Sequence, residues 1–169
     1  KFSKYIQVLK KQKNLLAGSP EYHSRKVLKI QLATTMNKMI NEQPLVSIIM
    51  NCYNSETYLR ESIDTIISQT YKNWELIFWD NQSKDSSSEI FKSYKDPRFK
   101  YYYAKKHTSL YEARNLAIEK SNGDLIAFID TDDLWKENKL ELQIPYFDDP
   151  HVGLVFSNYW VIKKKIKKK

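Results

Sequence analysis

Short runs of almost wholly apolar residues alternate with helix-like segments, and this alternation is the feature that most constrains the fold. Strands that are apolar at nearly every position are typical of sheets buried on both faces. Strand–helix alternation predicts an α/β fold, a Rossmann-like three-layer sandwich around a mostly parallel sheet. The predicted strands are Leu45–Met50, Glu75–Trp79, Phe99–Tyr103, Leu125–Ile129 and Val152–Phe156. The predicted helices contain Leu59, Ile63, Ile66 and Ile67, then Ile90, Phe91 and Tyr94, then span Leu110–Lys120 and Lys136–Ile144, the last stopped by Pro145.

The net charge of +8 is unevenly distributed along the 169 residues. Residues 1–43 carry +7, residues 163–169 carry +6, and residues 44–162 carry −5. A nucleic-acid-binding core would be expected to be basic, so this distribution disfavours that function. We predict a basic helical segment over 1–43, which packs on protein or lies on an anionic membrane. The lysine-rich tail, 163–169, is expected to be disordered.

Composition excludes several classes of protein. A single cysteine, Cys52, rules out an internal disulfide and is expected to be buried rather than nucleophilic. The three glycines are too far apart for a glycine-rich phosphate loop, and no apolar run approaches the roughly 20 residues that span a bilayer. The first residue is Lys1 and the tail is abruptly basic, so we expect a fragment in which the domain over 44–162 is truncated.

Ligands of open parallel sheets bind beyond the carboxyl ends of the strands, which directs attention to three polar segments. Asp130 and Asp132 follow the fourth predicted strand and could share one cation. Carboxylates together with diphosphate oxygens suit Mg²⁺ or Mn²⁺. The alternative is a solvated turn in which Asp133 caps the next helix.

The other strand ends offer polar and aromatic side chains. Asp80 and Asn81 can hydrogen-bond a base or ribose, or can belong to an ordinary turn. The first strand ends in Asn51, Tyr53 and Asn54, which could border a nucleotide; a packed tyrosine and a helix cap at Asn54 or Ser55 explain them equally well.

Arg114 is a further candidate for the same site, whereas the histidines are not. Arg114, on a predicted helix, could bind phosphate or base oxygens, or pair with Glu112 or Glu119 on the surface. The histidines show no ligand-like spacing and receive no role: His23, His107 and His151.

Over about Pro44–Tyr159 the sequence resembles the family 2 glycosyltransferases, which have the A-type nucleotide-diphospho-sugar-binding fold. Pro44–Asn54 looks like the opening strand of that family, and Ser68–Leu76 is similar to its first helix-to-strand crossing. Ala113-Arg114-Asn115, followed by Gly123–Asp133, looks like its acidic metal motif in context. Each segment is weak alone, but their order and spacing make the resemblance specific.

The resemblance implies transfer of a sugar from a nucleotide-diphospho-sugar to a glycan or lipid-linked acceptor, with metal dependence and inversion. It places Asn51, Tyr53 and Asn54 beside the nucleotide and Asp80 and Asn81 at the base. Arg114 would lie near the base or phosphates, Asp130 near the ribose and metal, and Asp132 on the metal, Mg²⁺ or Mn²⁺, with Asp133 supporting it.

The same resemblance implies surface-polysaccharide synthesis in the cytoplasm at the inner face of a membrane. The basic ends of the chain could make peripheral contact with that membrane. The family often has a second acidic residue at the position of Asn81, and its catalytic base comes well after the metal motif, so no residue here is assigned that role.

Two alternatives remain open, and a third is disfavoured. The chain could be a catalytically incomplete donor-binding fragment or a membrane-peripheral interaction module. A phosphatase with Asp130 as nucleophile and Asp132 as acid is disfavoured, because Leu134 stands where such motifs carry a hydroxyl group.

Overall fold

The computed structural model describes residues 43–162. The lysine-rich tail and all of the predicted N-terminal helical segment except Gln43 lie outside the described residues. The described residues contain four strands, β1 to β4, four α-helices, α1 to α4, and one 3₁₀ helix. In chain order they are β1 Val46–Cys52, α1 Leu59–Ile67, β2 Trp74–Asp80, α2 Ser87–Ser93, β3 Phe99–Tyr103, α3 Leu110–Ile118, β4 Leu125–Phe128, α4 Lys139–Gln143 and the 3₁₀ helix Ile144–Asp148.

The four strands form one parallel sheet in the order β3-β2-β1-β4. In the registers, Ile49 of β1 is opposite Ile77 of β2 on one side and Phe128 of β4 on the other. Every connection between successive strands contains a helix, as parallel pairing requires. The predicted α/β class and the first four predicted strands are confirmed.

Helices cover both faces of the sheet, which makes the predicted three layers. On one face, Ile48, Met50 and Phe78 pack with side chains from α1, α2 and α4. On the other, Ile49 and Ile77 pack against α3. Alternate residues of β1 and β2 are therefore buried on opposite faces. This two-sided burial is why both strands are continuously apolar.

The fifth predicted strand, Val152–Phe156, is wrong. Residues 152–162 form neither helix nor strand in the structure, and Leu154 and Phe156 are 78% and 86% exposed. An apolar run becomes a strand only where a neighbouring strand offers hydrogen bonds and a face for its side chains to pack on. Nothing among the described residues offers this segment either one.

Two helix predictions also need correction. The predicted helix Lys136–Ile144 is shorter, since α4 begins at Lys139 and the chain tightens into a 3₁₀ helix from Ile144. Pro145 is the second residue of that 3₁₀ helix, where its missing N–H costs no hydrogen bond. The predicted caps at Asn54 and Ser55 are wrong because α1 starts later, after Tyr58. No helix among residues 43–162 has the length and apolarity needed to cross a membrane.

A buried polar cluster joins the strands at their amino ends, opposite the edge where ligands were predicted. Glu75 of β2 accepts hydrogen bonds from Ser47 Oγ (2.6 Å), the Asn122 N–H (2.7 Å) and the Lys100 ammonium. Burial alone would raise the pKa of Glu75, but these hydrogen bonds outweigh it and lower the pKa to about 2. The cluster fixes β1, β2 and β3 to the segment that leads into β4.

Candidate active site at the carboxyl edge of the sheet

The carboxyl ends of the four parallel strands share one edge of the sheet, and the predicted site residues lie along it. β1 leads into Tyr53 and Asn54, β2 ends at Asp80, and β4 leads into Asp130. β1 is flanked by β2 and β4, so these three ends are adjacent. The topology alone therefore collects side chains that are up to about 80 residues apart in sequence.

Arg114 and Asp130 form an ion pair, with Nη2 of the arginine 2.8 Å from Oδ1 of the aspartate. α3 supplies the arginine and the turn after β4 supplies the carboxylate. The guanidinium also lies 5.7 Å from the centre of the Phe128 ring. The Asp130 side chain is the more exposed of the two, at 54%, against 35% for Arg114. The structure thus brings together two predicted site residues, and not Arg114 with Glu112 or Glu119.

The turn after β4 concentrates negative charge. Asp132 and Asp133 are both exposed, and the Asp133 N–H donates to the Asp130 carbonyl (3.1 Å). Partial burial, and then the charges of Asp130 and Asp132, raise the pKa of Asp133 above its usual range. Within residues 43–162 no group of three or more acidic, histidine or cysteine side chains is arranged to hold a metal by itself. A cation here would need ligands from a bound molecule as well.

Asp80 is inaccessible to solvent, and its carboxylate is fully engaged within the protein. The Ser83 N–H donates to Oδ1 and the Tyr101 hydroxyl donates to Oδ2, each at 2.7 Å. Burial and the hydrogen bond to Asp80 raise the pKa of Tyr101 to about 12, so the phenol remains a donor at neutral pH. Asp80 therefore stabilises the loop after β2 through the Ser83 N–H and holds that loop to β3 through Tyr101.

Asn81 is also buried, and its amide fastens the loop after β3. Nδ2 donates to the Thr108 carbonyl (2.8 Å), while Oδ1 accepts from the Thr108 N–H (3.1 Å) and hydroxyl (3.2 Å). The Ala104 N–H reinforces this contact by donating to the Asp80 carbonyl (2.8 Å). The loop at residues 104–109 is held beside the end of β2 as a result.

Asn54 joins the loop after β1 to the loop after β2. Its backbone lies in the left-handed region, with φ of 50°, which asparagine tolerates better than most residues. Its N–H donates to Ser83 Oγ (3.1 Å) and its Oδ1 accepts from the Lys84 N–H (2.8 Å). Cys52, directly before this loop, is buried, and burial raises the pKa of its thiol. The expectation that Cys52 is a buried apolar residue is confirmed.

Asn51 and Trp79 are opposite one another in the β1–β2 register. Their side-chain nitrogens, Nδ2 of Asn51 and Nε1 of Trp79, are buried and have no hydrogen-bond partner among the described residues. Buried donors of this kind are rare in proteins. The pair offers two unused N–H groups near the carboxyl edge.

Tyr53 and His107 form an aromatic pair on this edge, which the sequence did not reveal. Tyr53 is 50% exposed, and its ring centre lies 4.4 Å from that of His107, with the planes tilted by 56°. His107 Nδ1 lies 2.9 Å from the Asn81 carbonyl oxygen. His107 follows two lysines and belongs to no recognisable sequence motif. Its position beside Tyr53 becomes clear only from the hydrogen bonds that Asn81 makes with His107 and Thr108.

Comparison with known proteins identifies the family. The family model described as "Glycosyl transferase family 2" matches residues 47–169, which is most of the chain. The chain belongs to glycosyl transferase family 2. The teichuronic acid biosynthesis protein TuaG of Bacillus subtilis, a putative glycosyltransferase, is 33% identical over 123 residues, covering 72% of this chain and 49% of TuaG. The family resemblance inferred from the sequence is confirmed.

Other relatives and a solved structure agree. The Escherichia coli enzyme WfgD, a UDP-Glc:alpha-D-GlcNAc-diphosphoundecaprenol beta-1,3-glucosyltransferase, is 38% identical over 118 residues, covering 70% of this chain and 47% of WfgD. The chain spans about half the length of these two relatives. The structure of S. aureus TarS 1-349 superposes with a TM-score of 0.57 and 25% identity, covering 63% of this chain and 32% of that one. The predicted A-type fold is thereby confirmed.

Proposed function

We propose that this chain provides the donor-binding part of a glycosyltransferase, which moves a sugar from a nucleotide-diphospho-sugar to a glycan or lipid-linked acceptor. The observation that carries this proposal is the ion pair of Arg114 and Asp130 at the carboxyl edge, where the neighbouring strand β1 leads into the exposed ring of Tyr53. A diphosphate needs cationic and hydrogen-bonding groups, and a base needs an apolar surface for stacking. TarS, a structural neighbour, has been solved with UDP and with UDP-GlcNAc, which supports this class of donor.

Each side chain at the edge has a part in binding the donor. Tyr53 offers an exposed ring for the base, with Asn54 bordering it on the same loop. Arg114 presents a planar guanidinium suited to phosphate oxygens. Asn51 borders the nucleotide from beneath, with its amide Nδ2 buried and without a hydrogen-bond partner among the described residues. Asp80 and Asn81 act beneath the base by holding the loops, because their side-chain oxygens are already bonded to protein.

Asp130 and Asp132 would hold a divalent cation, Mg²⁺ or Mn²⁺. Their carboxylates are hard oxygen ligands, and both are exposed in a turn whose negative charge only Arg114 offsets with an ion pair among the described residues. Two protein ligands leave room for diphosphate oxygens, the usual way in which such cations are bound with phosphates. When bound, the cation supplies positive charge for the departing nucleoside diphosphate.

The reaction is a displacement at the anomeric carbon with inversion, through a transition state resembling an oxocarbenium ion. Arg114 contributes charge that favours departure of the diphosphate. A carboxylate must deprotonate the acceptor hydroxyl, and no residue among 43–162 is assigned that role. By analogy with WfgD, whose name specifies a diphosphoundecaprenol acceptor, we place this chemistry in polysaccharide synthesis at the cytoplasmic face of a membrane.

Calorimetric titration tests the donor site. UDP and GDP are titrated into the chain with and without Mn²⁺, and into the Asp132→Ala variant. We expect one nucleotide to bind with Mn²⁺ and to lose at least about tenfold in affinity without the metal or without the Asp132 carboxylate. Either change removes the metal bridge between the protein and the diphosphate.

Asp148→Ala is the matched control, because Asp148 is equally exposed but lies in the 3₁₀ helix, outside the proposed site. It should bind as the unmodified chain does. A folded chain that binds neither nucleotide would refute the proposed function, and equal binding by Asp132→Ala would refute the metal assignment.

A further inference from the structure

A nucleobase at this edge must present its polar atoms to acceptors and donors, yet the predicted acceptors are already used. Both carboxylate oxygens of Asp80 accept hydrogen bonds from the protein, and the residue is fully buried. Asn81 Oδ1 accepts two hydrogen bonds from Thr108. A ring N–H of a base would therefore find no free side-chain acceptor at the two positions expected to read it.

His107 has such an acceptor. A carbonyl oxygen can only accept, so the contact of Nδ1 with the Asn81 carbonyl (2.9 Å) requires the proton to be on Nδ1. In the neutral imidazole, Nε2 is then an acceptor, and it has no hydrogen-bond partner within the described part of the chain. The histidine is exposed and packs against the exposed ring of Tyr53.

The surrounding loop holds this imidazole in place. The hydrogen bonds between Asn81 and Thr108 flank His107 directly, and Gln82 Nε2 donates to the Lys105 carbonyl (3.1 Å) two residues earlier. Gln82 itself has a φ of 70°, in the left-handed region, so the turn after β2 is bent to make these contacts. The acceptor is therefore presented by a fixed loop, and such preorganisation favours discrimination between ligands.

We infer that His107 is a specificity-determining residue that selects nucleotides whose base carries a ring N–H at its pairing edge. Uracil and guanine have this N–H, whereas cytosine and adenine have an unprotonated nitrogen there, whose lone pair would face that of Nε2. This inference rests on the proposed function, since it assigns the base-reading residue of the same donor site.

The test compares two substitutions, of which only one keeps an acceptor near the position of Nε2. His107→Asn keeps a donor near the position of Nδ1 but has no atom at the position of Nε2. His107→Gln places an amide oxygen near the position of Nε2. Both remove the ring beside Tyr53, so the loss of that ring contact is common to the two variants. Only His107→Gln keeps an acceptor near the position of Nε2, and it does so without the donor to the Asn81 carbonyl. UDP, GDP, CDP and ADP are titrated with Mn²⁺ at mildly alkaline pH, and circular dichroism checks that each variant is folded.

We expect the unmodified chain to bind UDP or GDP at least about tenfold more tightly than CDP and ADP. His107→Asn should lose most of that preference, and His107→Gln should retain it within about threefold. His107→Ala replaces the Asn variant in the comparison if the latter does not fold.

Equal preferences in the Asn and Gln variants, or no preference in the unmodified chain, would overturn the assignment of His107 and leave the donor site standing. Failure of the unmodified chain to bind any of the four nucleotides would overturn both.

Discussion

Two ion pairs at opposite edges of the sheet have opposite character. Arg114 and Asp130 are substantially exposed, and ion pairs of this kind contribute at most about 1 kcal/mol to stability. Arg114 can therefore release Asp130 to bind a phosphate, and Asp130 can release Arg114 to bind a metal, with little loss of folding stability. In the other pair, with Lys100, Glu75 is buried and four donor groups from three residues surround its carboxylate, so its partners are fixed. The proposed binding chemistry is at the carboxyl edge, and the stabilising contacts of Glu75 are at the amino edge.

At the amino edge of the sheet, the backbone of Gly123 lies so close to the start of β1 that a side chain would not fit. A Cβ there would lie 2.6 Å from both the backbone nitrogen and Oγ of Ser47, and 2.7 Å from the Leu45 carbonyl oxygen. Gly123→Ala must displace β1 or break the contact in which the Gly123 N–H donates to Ser47 Oγ. We expect a loss of about 1–3 kcal/mol in the free energy of unfolding, measured by urea denaturation.

Gly153→Ala provides the matched control, because a Cβ at Gly153 would meet nothing within 4 Å. Its stability should stay within about 0.5 kcal/mol of the unmodified chain. Equal effects of the two substitutions would contradict the close approach at Gly123.

At the scale of elements, the Glu75 cluster joins three strands and predicts acid sensitivity. The pKa of Glu75 is about 2 in the folded chain, against an ordinary value of 4.5. A lowered pKa contributes stability that is present above about pH 4.5 and is lost as the pH falls toward 2. The shift corresponds to about 3 kcal/mol.

Glu75→Gln should remove most of this dependence between pH 4.5 and 2, and should also lower stability at pH 7 because Lys100 loses its charged partner. Urea denaturation at several pH values measures both effects. Glu137→Gln, at an exposed position, should leave the pH dependence intact. A similar acid slope in all three proteins would refute the assignment to Glu75.

Sequence predicted the elements that are defined by their own residues. β1 and β2 are apolar on both faces, and that pattern signals a buried parallel strand without knowledge of any partner. Val152–Phe156 has a similar pattern, but no strand pairs with it among the described residues, so pattern alone misled. An apolar segment forms a strand only if a neighbouring strand pairs with it, and the local sequence does not show whether such a neighbour exists.

The candidate site was predictable to the extent that parallel topology collects strand ends. Arg114 and Asp130 were each predicted, and the structure joins them. Which side chains are free to bind was not predictable. The engagement of Asp80 and Asn81 depends on Tyr101 and Thr108, more than 20 residues away, and the same contacts place His107.

At the scale of the whole molecule, the described residues form a sheet with a polar, exposed candidate site along its carboxyl edge and a buried polar cluster along its amino edge. Residues 44–162 carry −5, while the residues on either side of them are basic. Within this acidic region, the carboxylates of the turn after β4 repel the negative charge of a diphosphate. This makes a cation between carboxylates and diphosphate the central requirement of the account.

The most direct test is nuclear magnetic resonance of the isotopically labelled chain with Mn²⁺, which broadens signals from nearby nuclei. In the presence of UDP or GDP, whichever binds, we predict selective broadening of the amide signals of Asp130, Asp132 and Arg114, with those of Glu75 and Lys100 retained. Broadening centred on Glu75, or equal broadening throughout the sheet, would contradict a metal-bound donor at the carboxyl edge.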